Sequence, residues 1–282
     1  MHPALFPLKF SGLLPGLRPW VTNLANVWPA YYVKPYFAGW EVLHILTLVI
    51  LGGASIIVGL RLIGAGVTEE KPSDIYKDMR LYLTIGIVGV FITGILIGMA
   101  NAERLYDSAA FTAKMLCLLG GIILVYGATR PVALADGAVS RGAVIWGGVG
   151  IALWLLAIVV FLTGGLITPG LYHLLTAAAL IAAFVTRGRL RWIYLGGLGL
   201  VLLSMYVGTH VILKPDDIAK ADPVNVLLAW IAAIWIFGCI GVQAFVSNRG
   251  ATPSALFVKA IGYVTILVWV TAAAGGRWIA FA

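Results

Sequence analysis

Charged side chains are scarce in this sequence: Asp, Glu, Lys and Arg make up only 11% of its 282 residues, whereas 61% are hydrophobic. A soluble domain carries about 25% charged residues, so this chain lacks the polar surface that an ordinary soluble globule needs. Disordered chains have low hydrophobicity, so disorder is excluded as well. The composition therefore predicts a polytopic helical membrane protein.

Cysteine is also rare, and the common catalytic motifs are absent. The two cysteines, Cys117 and Cys239, exclude a disulfide framework, and without a C-x-x-C-H motif there is no c-type haem attachment. The sequence has no phosphate-binding loop and no hydrolase triad motif. The net charge of +8 is spread between apolar segments, a pattern typical of membrane topology rather than of nucleic-acid binding.

Long apolar segments dominate the rest of the chain. A hydrocarbon core of about 30 Å needs roughly 20 apolar residues of helix, and strands are excluded because an open sheet edge cannot lie in lipid. We therefore predict an all-α fold with eight transmembrane helices and a longest connection at 66–80. The predicted spans are 41–65, 81–100, 113–131, 143–166, 169–186, 191–213, 224–246 and 255–280.

The two halves of the sequence resemble each other. GWEVLHILTL opens the first predicted span and PGLYHLLTAA the fifth, while TGILIGMANAE and LSMYVGTHVIL end the second and the sixth. Four helices are an even number, so both copies have the same orientation, as in parallel repeats. The predicted domains are a Pro/Trp-rich interfacial arm at 1–37, a four-helix unit at 38–168 and a second four-helix unit at 169–282.

The distribution of basic residues predicts an orientation. The side that holds the N-terminus carries eight Lys and Arg residues, and the opposite side carries eleven. The positive-inside rule then makes the N-terminal side the outer one. We expect a multi-pass protein of the bacterial inner membrane with both termini in the periplasm.

Three of the four histidines fall inside predicted spans. His44, His173 and His210 are predicted in one layer, about 5 Å in from the outer ends of their helices. Ionisable residues within a membrane indicate function, and imidazole is a ligand for haem iron and for copper. These histidines are candidate ligands of a b-type haem or another metal, and the sequence does not choose a pair. The structural alternative is hydrogen bonding between helices.

Other ionisable residues are predicted in the same outer layer. Glu41 lies three residues before His44, so it can orient the imidazole, take a proton from a quinol, or simply face water. Arg277 can bind a haem propionate, pair with Glu41, or extend to the headgroups. Lys114 has the same ambiguity.

Several segments resemble a bacterial inner-membrane family of unknown function. They are WEVLHILTL, GLRLIG at 59–64, TGILIGMANAERLYDSAAFTAKM at 93–115 and GGRWIAF at 275–281. That family is loosely akin to the copper-resistance membrane proteins and to the four-helix b-type cytochromes. The resemblance implies a four-helix membrane unit, here doubled, and no settled activity. Asn101 stands roughly where His210 stands in the second half, which argues against one haem in each half.

Together these features predict an integral membrane electron-transfer subunit. A b-type haem near the outer face would relay electrons between quinone and a periplasmic partner, with the lipid bilayer and other subunits as partners and no nucleic acid. One alternative is a cofactor-free subunit that anchors a larger membrane complex, with residues 1–37 as its docking element. Another is a copper-handling permease that uses the same histidines, although copper transport usually enlists Met and Cys. Whether the chain is itself an enzyme stays open.

Overall fold

The computed structural model describes residues 8–163, 178–212 and 218–279. All regular secondary structure in these residues is helical, with no strand among them, which confirms the predicted all-α class. Within it, seven helices are long and apolar enough to cross a membrane. Seven such helices indicate a multi-pass membrane protein. The first half of the predicted fifth span 169–186, residues 169–177, lies outside the described residues.

The long helices follow the predicted spans closely. A one-turn π-helix, Val125–Thr129, extends α3 into the segment Arg130–Leu134, and another, Gly208–Ile212, extends α5. The helices are α1 (Phe37–Ile63), α2 (Pro72–Ala100), α3 (Ala109–Leu124), α4 (Arg141–Thr163), α5 (Gly188–Val207), α6 (Ile218–Ser247) and α7 (Pro253–Trp278).

Helix α2 begins nine residues earlier than its predicted span at 81, so residues 72–80 of the predicted 66–80 connection are helical. Pro72 stands in the first turn, where its fixed φ suits a helix and its missing N–H costs nothing. Lys77 donates to Asp74 at 2.9 Å on the exposed surface of the same turn. The span prediction was wrong here because hydropathy marks the apolar length and not the charged turns that continue the helix into water.

The chain divides into two compact units, Met1–Gly164 with Thr252–Ala282, and Gly165–Ala251. In the first unit α1 packs on α2, α3 packs on α4, and α7 packs on both α1 and α3. Helix α7 therefore joins the two pairs. The sequence-based division instead groups this helix with residues 169–282, and the internal repeat on which that division rests stays a prediction.

Glycine allows α1 and α7 to cross at close range. A Cβ on Gly59 would lie 2.8 Å from the carbonyl oxygen of Gly262, and a Cβ on Gly262 would lie 2.8 Å from that of Gly59. Small residues let membrane helices approach until backbones touch. This crossing fixes the rotation of α7 about its axis.

Two polar bonds also hold α7 in place. The hydroxyls of Thr129, in the π-helical turn that extends α3, and of Thr265 on α7 are 2.7 Å apart and buried. The indole N–H of Trp154 on α4 donates to Thr271 at 3.0 Å. Such bonds between membrane helices contribute about 0.6 kcal/mol on average, so they specify register more than they add stability.

The predicted arm docks on the short helix Ala102–Tyr106, which follows α2. Arg18 donates to the carboxylate of Asp107 at 2.6 Å and lies over the ring of Tyr106, whose hydroxyl donates to the carbonyl of Leu14. The hydrogen bond from Arg18 holds the pKa of Asp107 below its usual value. The arm is therefore fixed at the end of the first unit where α1 begins, α2 ends and α3 begins, here called the arm end.

The second unit is described by its own contacts. The hydroxyl of Tyr194 on α5 donates to the carbonyl of Ala179 at 2.8 Å, and the indole N–H of Trp235 on α6 donates to the carbonyl of Tyr194 at 3.0 Å. Tyr194, Ile236 and Ala182 form a small buried core. Tyr194 thus links 178–185, α5 and α6.

Candidate functional site

His44 lies two turns into α1 from the arm end and is buried, with 5% of its surface exposed. Its ring packs on Gly94 of α2, where a Cβ would lie 3.2 Å from Cε1. The Nδ1 atom is 2.8 Å from the hydroxyl of Thr93, which is also buried. The absence of a side chain at Gly94 is therefore what lets the imidazole approach the backbone of α2 closely.

The hydrogen bonds around Thr93 determine the imidazole tautomer. The Thr93 hydroxyl donates its single proton to the carbonyl of Gly89 at 2.5 Å. It therefore acts as an acceptor toward His44, so Nδ1 carries the proton and donates. In a neutral imidazole the other nitrogen, Nε2, is then an acceptor.

Lys114 on α3 completes this arrangement. Its ammonium nitrogen Nζ is 3.0 Å from Nε2 of His44, so Lys114 donates and His44 accepts. The lysine side chain is half-buried against α7, where a Cβ on Gly276 would lie 3.3 Å from Nζ. Three helices thus meet at one cluster of three side chains, His44, Thr93 and Lys114, here called the His44 cluster.

Among the residues that the structure describes, Lys114 has no direct counter-ion. Within the described ranges, no carboxylate lies at ion-pair distance from it, and His44 is its hydrogen-bond partner. Glu41, one turn before His44 on α1, is exposed and acts on Lys114 through longer-range attraction. A half-buried cation is costly without a partner, so this cluster suits a ligand that offers an electronegative oxygen.

The structure brings together some of the predicted site residues. His44 and Lys114 are in contact, Glu41 is one turn away, and Arg277 follows Gly276 at the exposed end of α7. His210 belongs to the second unit. His173 lies outside the described residues.

His210 occupies the π-helical turn that extends α5. Its exposed ring is stacked on Tyr206, with centroids 4.8 Å apart, and its Nδ1 is 3.3 Å from the carbonyl oxygen of Tyr206. A carbonyl partner on Nδ1 is how proteins commonly orient a ligating histidine. Single π-turns within helices occur frequently at functional sites.

The surroundings of His44 do not suit a metal or haem ligand. Among the described residues there is no group of three His, Cys, Asp or Glu side chains that could hold a metal ion. At His44, Nδ1 is bound to Thr93 and Nε2 faces an ammonium group. This geometry does not fit an iron ligand.

One member of the cluster was missed from the sequence. Thr93 stands in the segment TGILIG and is one of many small polar residues that membrane helices tolerate. Its distance from the helix end could have identified it. Thr93 lies seven residues before the end of α2, and His44 lies seven residues after the start of α1. Antiparallel neighbours with equal offsets bring such residues to one level.

The His44 cluster lies within a segment that matches a protein family. Residues 30–169 match a family of unknown function (DUF6644). This match covers α1 to α4, and with them Glu41, His44, Thr93 and Lys114. It carries no sign of kinship with copper-resistance proteins or cytochromes. No curated protein and no solved structure matches the chain.

Proposed function

We propose that the protein is an integral membrane subunit of an electron-transfer system and that its His44 cluster binds the head group of a membrane quinone. The observation that carries the proposal is the 3.0 Å contact between Nζ of Lys114 and Nε2 of His44. It joins a cation to a neutral base inside apolar helices and near one end of them. Ionisable residues in such places mark substrate or proton pathways.

The donor set of the cluster suits a quinone. An ammonium group has three N–H donors, and among the described residues its partner is His44. A further N–H can donate to a quinone carbonyl oxygen, which is an uncharged acceptor that dissolves in lipid. The outward face of α1 exposes Val42, Ile45 and Leu46, so such a substrate can approach the helix from the bilayer.

The residues also provide a route for protons. Oxidation of one quinol to quinone releases two electrons and two protons. We propose that the electrons pass to a redox partner of the haem or iron–sulfur class. One phenolic proton passes to Nε2 of His44 when Lys114 turns toward the quinone oxygen, and leaves by the exposed Glu41. The second proton is released to water at the arm end.

The haem prediction concerns the second unit in this proposal. His210, with its carbonyl-oriented ring, and His173 are the candidate ligands, and a haem held there would accept one electron at a time. The chain's own contribution is to orient the His210 imidazole through Tyr206. Arg277, predicted near a propionate, lies in the first unit.

Binding of a short-chain quinone to the purified protein tests the proposal. We expect Lys114→Met to weaken binding about tenfold or more, because a hydrogen bond from a charged donor contributes about 1.5–3 kcal/mol. Quenching of tryptophan fluorescence gives the dissociation constant. Lys34→Met is the matched control, since Lys34 is an exposed lysine of the arm, and it should leave binding unchanged. Equal affinities for wild type and Lys114→Met would contradict the proposal.

A reduced-minus-oxidised optical spectrum tests the haem part separately. We expect sharp α and Soret bands that His210→Ala removes and His44→Ala leaves in place, because Nε2 of His44 is already bonded to Lys114. Bands lost only with His44→Ala would reverse the assignment. A spectrum without bands would remove the haem and leave the quinone site to be decided by the binding experiment.

The anchoring alternative is favoured by one observation, the aromatic surface of the arm. Trp28 is 71% exposed, and Trp20, Tyr32 and Tyr36 are exposed with it. Tryptophan and tyrosine favour the headgroup level of a membrane, and they also anchor protein interfaces. A protein that neither binds quinone nor shows haem bands would be assigned to this alternative. No contact among the described residues adds support to the copper-handling hypothesis, which rests on the sequence alone.

A further inference from the structure

Four arginines gather at one end of the second unit. Arg187 precedes α5, Arg189 and Arg191 lie in its first turn, and Arg249 follows the end of α6. All four are exposed. The amide of Arg187 donates to the side-chain oxygen of Gln243 on α6 at 2.9 Å, which ties the start of α5 to the end of α6.

Acidic residues are few in this part of the sequence. Between residues 165 and 282 the sequence has only three acidic residues. Asp216 and Asp217 precede α6 in the sequence, and Asp222 lies in the second turn of that helix. Helices α5 and α6 pack on each other, and the bond between Arg187 and Gln243 joins the start of one to the end of the other. The first turns of α6 therefore lie at the end opposite to the arginines, and the sequence has no acidic residue in 178–212 or 223–251.

Large apolar side chains lie next to the arginines. Phe184 is 77% exposed, Trp192 is 74% exposed and Phe245 is 68% exposed. Each stands within four residues of an arginine, on the side toward the middle of the apolar helix, and Arg249 lies over the ring of Phe245 at 5.7 Å. The surface is therefore basic at its rim and apolar directly below.

We infer that this surface binds the headgroup of an anionic phospholipid, with the phosphate at the arginines and the acyl chains along the exposed aromatic side chains. Arginine matches phosphate with paired N–H donors, and basic groups beside membrane helices bind anionic headgroups. The order of charge and apolar surface here matches the order of phosphate and acyl chain in a lipid. An acidic soluble protein could pair with the arginines but would leave the exposed aromatic side chains beside them uncovered. This inference is independent of the quinone proposal.

Thermal unfolding in mixed micelles tests the inference. The probes are phosphatidylglycerol and, as the zwitterionic comparison, phosphatidylcholine at the same mole fractions. We expect phosphatidylglycerol alone to raise the unfolding temperature in a saturable way, which gives an apparent Kd. The double variant Arg189→Gln/Arg249→Gln should raise that Kd about thirtyfold, since each basic residue near a headgroup contributes about fivefold. High salt should weaken the wild-type effect.

The matched control removes the same charge elsewhere. Arg80→Gln/Arg141→Gln replaces two exposed arginines of the first unit and should leave the Kd unchanged, while Arg189→Lys/Arg249→Lys should restore most of the binding. Equal effects of the two lipids, an unchanged Kd in the Arg189 and Arg249 variant, or an equal loss in the control would each overturn the inference. Stabilisation by inorganic phosphate without lipid would also overturn it.

Discussion

Alanine at Gly262 should destabilise the first unit by about 1–3 kcal/mol, the range found for overpacked cores, and leucine there should prevent folding. The Cβ of alanine would lie 2.8 Å from the carbonyl oxygen of Gly59. That oxygen belongs to the backbone of α1 and cannot rotate away as a side chain can. Helices α1 and α7 would have to separate, and Lys114 would lose the surface of α7 on which its side chain packs. Thermal unfolding of the purified protein in detergent measures the effect.

The control for this prediction lies on α1 itself. A Cβ on Gly52 would have no atom within 4 Å, so Gly52→Ala should be neutral or should stabilise by up to about 1 kcal/mol through helix propensity. Gly59→Ala should behave like Gly262→Ala. Equal unfolding temperatures for Gly52→Ala and Gly262→Ala would show that α1 and α7 do not cross at these glycines.

The helices were largely predictable because the bilayer imposes their length. About 20 apolar residues are needed to cross it, and α1, α4 and α7 end within three residues of their predicted spans. The start of α2 at Pro72 was not predictable from hydropathy. It depends on a proline at the first turn and on the Lys77–Asp74 pair, both of which act in water.

The site was predictable in part. His44 was identified because an ionisable side chain within an apolar span is rare, and Lys114 was placed at the same end. Their contact could not be predicted, because it depends on the rotation of α1 and α3 about their axes. That rotation follows from close packing at Gly94 and Gly276, and glycines are too frequent here, with 34 in the chain, for the relevant ones to be recognised.

The position of α7 also lacked a local signal. It is the last helix in sequence, yet it packs on α1 and α3. The features that hold it are Gly262 and Thr265. Glycine occurs on each of the seven helices α1 to α7 and threonine on five of them, so neither type singles out a contact. Packing between distant helices is decided by complementary surfaces, which a pattern read along one helix does not contain.

A double-mutant cycle should show that His44 and Lys114 are energetically coupled. Each single substitution should leave a buried polar group of the other residue unpaired, whereas the double substitution should not. Lys114→Met keeps the apolar stem but leaves Nε2 of the buried His44 without a donor, and an unsatisfied buried acceptor costs about 1–3 kcal/mol. His44→Phe fills similar space but leaves the half-buried ammonium group without its acceptor, which costs a comparable amount. The double variant leaves neither group unpaired, so its loss of stability should be smaller than the sum of the two single losses.

The difference, a coupling energy of about 0.5–3 kcal/mol for residues in direct contact, is measured by thermal unfolding of the four proteins under one condition. Thr84→Val paired with Lys114→Met is the control cycle, because the hydroxyl of Thr84 bonds only to its own helix at the carbonyl of Arg80. Its coupling should be near zero. Equal couplings in both cycles would mean that Lys114 acts on the fold as a whole. A coupling confined to His44 would instead show that the two side chains form one polar unit, and a ligand that displaces the lysine from Nε2 should then reduce it.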